Sequence, residues 1–308
     1  MTGRGPASPG LGVPGLSHRE NSVFLEAPAK INWFLQILGK REDGYHDIKS
    51  CMQCVSLYDS LRFEHADSIA VESRLDIPVS DNLVFRAASL LKEYASYRKG
   101  ARILLRKNVP VGGGLGGGSS DAAHTLVGLN RLWGLGIDDL ELRSISAQLG
   151  SDVPFFLGGP AALVEGRGEK IAPLEVRSSV TLLLVKPRIS VSTAWAYSGF
   201  DQSGHDTLTK KPIDIKLFCQ ALNRLDLTSL GNMLYNDLEN VVTRKYPVVR
   251  EIKRRLSEKG AAISAMSGSG SVVFGVFLSR GEAEEVAREM KPNFCRVVET
   301  LTTVSGKQ

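Results

Sequence analysis

The chain has 308 residues, 43% hydrophobic and 23% charged, which is the make-up of an ordinary soluble globular protein with room for two domains or one large one. It has no apolar run near the ~20 residues that span a bilayer and no Lys/Arg-led secretory signal, so a cytoplasmic protein without a membrane partner is expected. A formal charge of +5 suits a small anionic ligand but is too modest and dispersed for a nucleic-acid partner.

Met1 to Asn21, rich in Gly and Pro and poor in large apolar residues, reads as a disordered tail (1–21). Phe24 to Leu38 alternates as strands broken near Ala27-Pro28-Ala29, and a turn carrying Asp43-Gly44-Tyr45 leads to a strand over Cys51 to Glu64. Cys51 and Cys54 form a C-x-x-C. Residues three apart on a strand point to opposite faces, however, and Cys219 and Cys295 supply no second pair, so buried hydrophobes explain them better than metal or redox chemistry. Asn82 to Tyr97 places Leu83, Ala87, Leu90, Leu91 and Tyr94 on one helical face, with Asp81 as cap. Ile103 to Val109 reads as a strand, a glycine run follows, and Ala122 to Trp133 resumes helical spacing. Ile137 to Leu149 gives a helix ended by Gly150, and Ser151-Asp152-Val153-Pro154 opens the next element.

Gly158-Gly159-Pro160 and Gly166-Arg167-Gly168 punctuate hairpin-like strands. A strand over Val180 to Pro187 is followed by a loop through Ser190 to Asp206 and by helices over Ile213 to Leu222, Thr228 to Asn232 and Tyr246 to Lys259. The basic stretch Arg250 to Lys259 reads as a solvated helix face. Strands over Ala262 to Met266 and Ser271 to Leu278 flank a second Gly/Ser loop, Ser267 to Gly270, before a final helix over Arg280 to Met290. Strands and helices mix without strict alternation, which predicts an α+β protein with units over 22–176 and 177–308.

The run Gly112 to Gly118 carries six glycines around Leu115. Glycine has no Cβ to hold a polyanion off the backbone and reaches the positive φ that aims several N–H groups at one centre. Ser119, Ser120 and Asp121 suit a helix N-terminus, which adds unsatisfied donors and a positive dipole end. A strand before the run and a helix after it argue against a linker. A Walker A loop needs Lys where Gly118 stands. The dinucleotide pattern G-x-G-x-x-G is met by Gly112, Gly114 and Gly117, but it arises cheaply in such a run. Pro110 also interrupts the strand that should lead in, and Asp138 falls in a helix cap.

With Pro110 ahead of it and Ala122-Ala123 behind, this loop resembles that of the GHMP kinases, the superfamily of galactose, homoserine, mevalonate and phosphomevalonate kinases. Five further motifs occur in order: Ala27-Pro28-Ala29-Lys30-Ile31-Asn32, Asp43-Gly44-Tyr45-His46, Leu149 to Phe156, Asn236-Asp237-Leu238-Glu239, and Met266 to Gly270. Together they are similar to the branch of the non-mevalonate isoprenoid pathway that phosphorylates a cytidine-diphosphate-linked methylerythritol. The resemblance implies a GHMP kinase fold, with a ribosomal-S5-like N-terminal half, a ferredoxin-like C-terminal half and the active site in the cleft between. It also implies ATP with Mg²⁺ as cofactors and a monomer or homodimer.

In this family reading Asp152 is the general base and Lys30 its electrostatic partner, although local sequence alone makes Asp152 a helix cap and Lys30 a solvated strand lysine. Asn32 shares a strand face with Lys30 and would position the substrate. His46 would hydrogen-bond the cytosine and Tyr45 stack on it. A second stacking ring falls on Tyr197, with Trp195 as rival. Asn82, Leu83 and Lys107 match positions around adenine, while Pro110, Gly112, Gly113, Gly114, Leu115, Gly116, Gly117, Gly118, Ser119 and Ser120 would hold the phosphates. Ser119 or Ser120 is a candidate Mg²⁺ ligand, no glutamate is assigned to the ion, and its ligand set stays unknown. Ser267 to Gly270 is either a second phosphate nest or a tight connection. Two alternatives stay open: a kinase of another small alcohol, which Tyr45-His46 would discriminate, and a nucleotide-binding regulator without turnover.

Overall fold

The computed structural model describes residues 22–204, 213–290 and 294–303; the expected N-terminal tail lies outside the described residues. The first sheet contains β1 (Ser22–Lys40), β2 (His46–Ala66), β3 (Ala70–Glu72), β4 (Gly100–Arg106), β5 (Ala161–Gly166) and β6 (Lys170–Pro173). β1 and β2 form one long antiparallel hairpin. β1 is not broken at Ala27-Pro28-Ala29. Pro28 brings no N–H, and a register shift between Pro28 and Ala29 absorbs the missing ladder bond without ending the strand. The opposite edge of β2 takes β4 along its second half and β5 along its first, so Met52 lies between Asn32 and Ala162, and Leu61 between Leu25 and Leu105.

Helices α1 (Leu83–Tyr94), α2 (Gly117–Trp133) and α3 (Asp139–Ser146) are associated with this sheet. Phe63, Leu91, Leu126 and Leu129 belong to the core between strands and helices. The α1 cap is Asn82, whose side chain accepts from the Val84 amide at 2.9 Å; Asp81 instead lies in a one-turn 3-10 helix over Val79–Asp81. α2 starts at Gly117, with Gly116 at φ 68 as its N-cap, so Ser119, Ser120 and Asp121 are already inside the helix.

The second sheet has the order β10-β7-β9-β8, from β7 (Thr181–Lys186), β8 (Ile263–Met266), β9 (Val273–Phe277) and β10 (Phe294–Glu299). Its half of the chain also holds α4 (Thr193–Gln202), α5 (Ile215–Arg224), α6 (Leu227–Met233), α7 (Glu239–Lys245), α8 (Pro247–Glu258) and α9 (Arg280–Glu289). Helix α4 replaces most of the loop expected over Ser190 to Asp206. Its Thr, Trp, Tyr, Ser and Gly are weak helix formers, and burial of Ala196 and Phe200, one turn apart, supplies what propensity lacks. A shared core joins the two halves: Trp33 meets Phe274 edge-on at 5.8 Å and Phe34 meets Phe218 at 5.6 Å. Cys51 belongs to this shared core and Cys54 to the core under α2, the opposite faces that strand alternation requires. Among the described residues, no helix is long and apolar enough to cross a membrane.

Gly128 of α2 lies so close to buried Phe63 that a Cβ would sit 2.4 Å from the ring. Gly128→Ala should therefore lower stability, because overpacking of about 1–3 kcal/mol outweighs a helix-propensity gain of about 0.5–1 kcal/mol. Urea unfolding reads the difference, and a midpoint at or above wild type would contradict it.

Candidate active site

β2 occupies one edge of β1, and the other edge is closed by loops from distant parts of the chain. The Lys30 amide donates to Leu115 O at 2.9 Å, that of Asn32 to Ser267 Oγ at 3.2 Å, and that of Leu35 to Tyr235 O at 3.0 Å. The Asp237 amide returns a bond to Leu35 O at 2.9 Å, while its Oδ2 accepts from the Ile37 amide at 2.7 Å. Asn236 Nδ2 donates to Met266 O at 2.9 Å and Gly268 O at 2.7 Å. The Asn236 to Glu239 motif is thus a splice between β1 and the second Gly/Ser loop.

That loop docks on the glycine run. Gly112, Gly114 and Gly116 have φ of 66, 77 and 68, which places them in the left-handed region. Gly114 O accepts from Ser267 Oγ at 3.0 Å, and a Cβ on Gly114 would stand 2.2 Å from Ser267 O. Because the Ser120 amide is spent on Gly116 O at 2.9 Å, Gly117, Gly118 and Ser119 are left with the free first-turn amides of α2. Pro110, Gly112 to Gly118 and Ser119 all line a cleft of about 870 Å³. Ser120 does not; its hydroxyl is buried without a hydrogen-bond partner.

Lys30 is only 3% exposed, and its ammonium reaches Asn32 Oδ1 at 2.5 Å, Gly114 O at 3.2 Å and Asp152 Oδ2 at 3.5 Å. Ser50 fixes the Asn32 amide, accepting from Nδ2 at 2.8 Å and donating to Phe34 O at 2.6 Å. The Asp152 side chain is 34% exposed. The one-turn helix Pro154–Leu157 takes Val153 as N-cap and no side-chain cap bond, so the Asp152 carboxylate is not spent on capping.

His46, which also lines the cleft, stacks on Tyr197 with ring centroids 5.0 Å apart. His46 Nε2 shares a hydrogen bond of 2.6 Å with Asp201 Oδ1, and Asp201 Oδ2 accepts from Lys40 Nζ at 2.7 Å. Partial burial would raise the Asp201 carboxyl, but the bonds from Lys40 and His46 outweigh it and hold the group below its ordinary value. Burial, and then the charge of Asp152, push the Tyr197 phenol up. Tyr45 is half exposed at the rim, with the Arg167 guanidinium 4.9 Å from its ring centroid. Trp195 packs on Tyr246 under Lys245 and does not line the cleft. Sequence reading missed Asp201; its one signal is the four-residue spacing from Tyr197, which shares a face only once α4 is known to be a helix.

Asn82 and Leu83 line the cleft as well, and the Asn82 Oδ1 caps α1 while its NH₂ is available to a ligand. Lys107 also lines it, but its ammonium is held between Asp59 and Asp121, the latter at 2.6 Å. Burial pushes the Asp121 carboxyl up to about 7 against the pull of Lys107. Among the described residues no three His, Cys, Asp or Glu side chains gather as a metal site. The oxygen donors on the cleft suit an ion held largely by phosphate and water.

Fold and glycine cradle together define a GHMP kinase. The model of the GHMP kinases N terminal domain matches residues 82–160, and that of the GHMP kinases C terminal matches 218–296. A crystal structure of a homoserine kinase from Cytophaga hutchinsonii shares the fold, with a TM-score of 0.68 at 18% identity over 95% of this chain and 98% of that one. A crystal structure of 4-(cytidine 5'-diphospho)-2C-methyl-D-erythritol kinase matches with a TM-score of 0.79 at 33% identity, over 90% of this chain and 99% of that one. A 4-diphosphocytidyl-2-C-methyl-D-erythritol kinase of Thermodesulfovibrio yellowstonii is 46% identical over 90% of this chain and 97% of its own length. The chain belongs to this kinase family, ATP-dependent small-molecule kinases within the GHMP class.

Lys107→Met would leave Asp59 and Asp121 buried without a counter-charge, at a cost that reaches about 3–5 kcal/mol as pH rises above neutral. Burial already holds the Asp121 carboxyl at about 7, above its unfolded value of about 3.9, and losing the pull of the ammonium raises it further. The deficit should therefore be small at acid pH, where Asp121 is protonated with or without the ammonium, and grow as pH rises through about 7. Denaturation across pH checks this; a deficit independent of pH would contradict it.

Proposed function

We propose that this chain transfers the γ-phosphate of ATP to the 2-hydroxyl of 4-diphosphocytidyl-2-C-methyl-D-erythritol, in the cytoplasm and as a step of the non-mevalonate route to isoprenoids. The placement of Asp152 carries this most directly. It is free of capping duty, 3.5 Å from the ammonium of a lysine that also touches Gly114 of the cradle, and close enough to Tyr197 to raise its phenol.

Asp152 takes the proton of the acceptor hydroxyl as its oxygen bonds to the γ-phosphorus and the bond to the bridging oxygen of ADP breaks. Lys30 stands 3.5 Å from that carboxylate and offers positive charge to the transferring oxygens. Asn32 keeps one amide hydrogen beyond its bond to Ser50 and positions the acceptor with it. The amides of Gly117 to Ser119 and the dipole of α2 hold the triphosphate, with Asn82 and Leu83 flanking adenine. Ser120 serves the helix rather than the phosphates. Ser119 and Asp152 are the protein donors that would help to hold Mg²⁺, bound chiefly by phosphate and water, and the ion would supply charge neutralisation at the β- and γ-phosphates. His46 hydrogen-bonds the cytosine edge, and Tyr197 and Tyr45 offer aromatic faces to it. In this scheme a unit over 22–176 supplies the ATP site and a unit over 177–308 supplies Tyr197 and the second Gly/Ser loop.

Asp152→Asn should lower the rate of ADP release with the cytidyl acceptor on the order of 10²–10⁴-fold or more while ATP still binds. Unchanged turnover would remove Asp152 from the base role, and wild-type transfer to mevalonate but not to the cytidyl compound would reject the acceptor. Asp201→Ala releases His46 from its carboxylate partner. It should raise KM for the acceptor on the order of tenfold and leave KM for ATP alone; a rise confined to ATP would contradict this assignment.

A further inference from the structure

We propose that Asp59, a fully buried residue of β2 that does not reach the cleft surface, is a positioning residue for the phosphate loop and thereby sets nucleotide affinity. The ladder between β2 and β4 ends at the pair Ser60 and Arg106. One residue further on, the Asp59 side chain takes over what the backbone no longer does. Its Oδ1 accepts from the amides of Asn108 at 2.6 Å and Val109 at 2.9 Å, the last two residues before Pro110, which has no N–H to donate. Its Oδ2 accepts from the Lys107 ammonium, which also binds Asp121 on α2 at 2.6 Å. One carboxylate therefore ties both ends of the glycine run, the segment that leads in and the helix that leads out. The clamp is packed directly under the first helical residue: a Cβ on Gly117 would meet Val109 Cγ1 at 2.8 Å and Lys107 Nζ at 3.2 Å.

A run of six glycines is costly to order. If its ends were loose, that cost would be met when the nucleotide binds and would weaken affinity there. The acceptor recess at His46 and Tyr197 makes no contact with the clamp, so acceptor affinity should not follow. This rests on the reading of the loop as an ATP site. A role confined to fold stability would lower the melting temperature and leave both substrates bound as before.

The experiment measures the melting temperature, the Kd of a non-hydrolysable ATP analogue by calorimetry, and KM for each substrate in wild type, Asp59→Ala and Asp59→Asn. Asp59→Ala should raise Kd and KM for the nucleotide roughly tenfold or more with KM for the acceptor unchanged. Asp59→Asn keeps an oxygen for both amides and should recover most of that affinity. If Asp59→Ala does not fold, Asp59→Glu, which displaces the oxygen but keeps the charge, should show the same selective rise. Variants that melt lower yet bind the analogue as wild type does, or that raise both KM values equally, would overturn the proposal. Wild type that binds the analogue but does not phosphorylate the cytidyl acceptor would overturn the acceptor assignment alone, because the calorimetric comparison needs no acceptor.

Discussion

Everything at this site depends on the outer edge of β1. A strand edge presents N–H and C=O groups that cannot stay unpaired when buried. Among the described residues no seventh strand satisfies them; residues 115, 235, 237 and 267 do. Segments that share nothing in sequence are thereby fixed to a single ruler, on which Lys30 and Asn32 already face the cleft. The extra residue of β1 between Asn32 and Phe34 accompanies a change of edge donors from the even positions Lys30 and Asn32 to the odd positions Leu35 and Ile37.

Electrostatics then decides what that ruler can carry. A buried ammonium is tolerable only when its charge and donors are matched, and Lys30 and Lys107 meet this condition in different ways. Lys107 faces two buried carboxylates, so its charge is consumed inside the wall. Lys30 faces a neutral amide, a carbonyl and a single carboxylate that is a third exposed, so its field remains directed at the cleft. The same side chain is structural in one place and outward-acting in the other because of the partners around it.

Legibility followed chemistry more than secondary structure. The glycine run was readable because only glycine permits positive φ and close backbone contact at the same positions, and the structure uses both at Gly114. Lys30, Asp152, His46 and Tyr197 were readable through motif order, and all four line one cleft. Asp201 was not, because α4 has little intrinsic helix propensity and exists through the burial of Ala196 and Phe200, which no local pattern announces. Asp59 was hidden differently: in a strand it is one more polar residue, and its partners at Lys107 to Val109 lie about fifty residues away. Ser120 shows the converse limit, since position in a motif did not tell which side of the helix it faces.

The contact between Gly114 and Ser267 has a consequence for how such a chain can change. The two loops lie 153 residues apart, yet they meet through a hydrogen bond and through a space too narrow for any Cβ. They constitute one heritable unit, although recombination sees them as two. A chimera joined between them inherits each loop from a different parent and is sound only where both parents built the same backbone at the junction. Change in this kinase is therefore most restricted where the two loops touch.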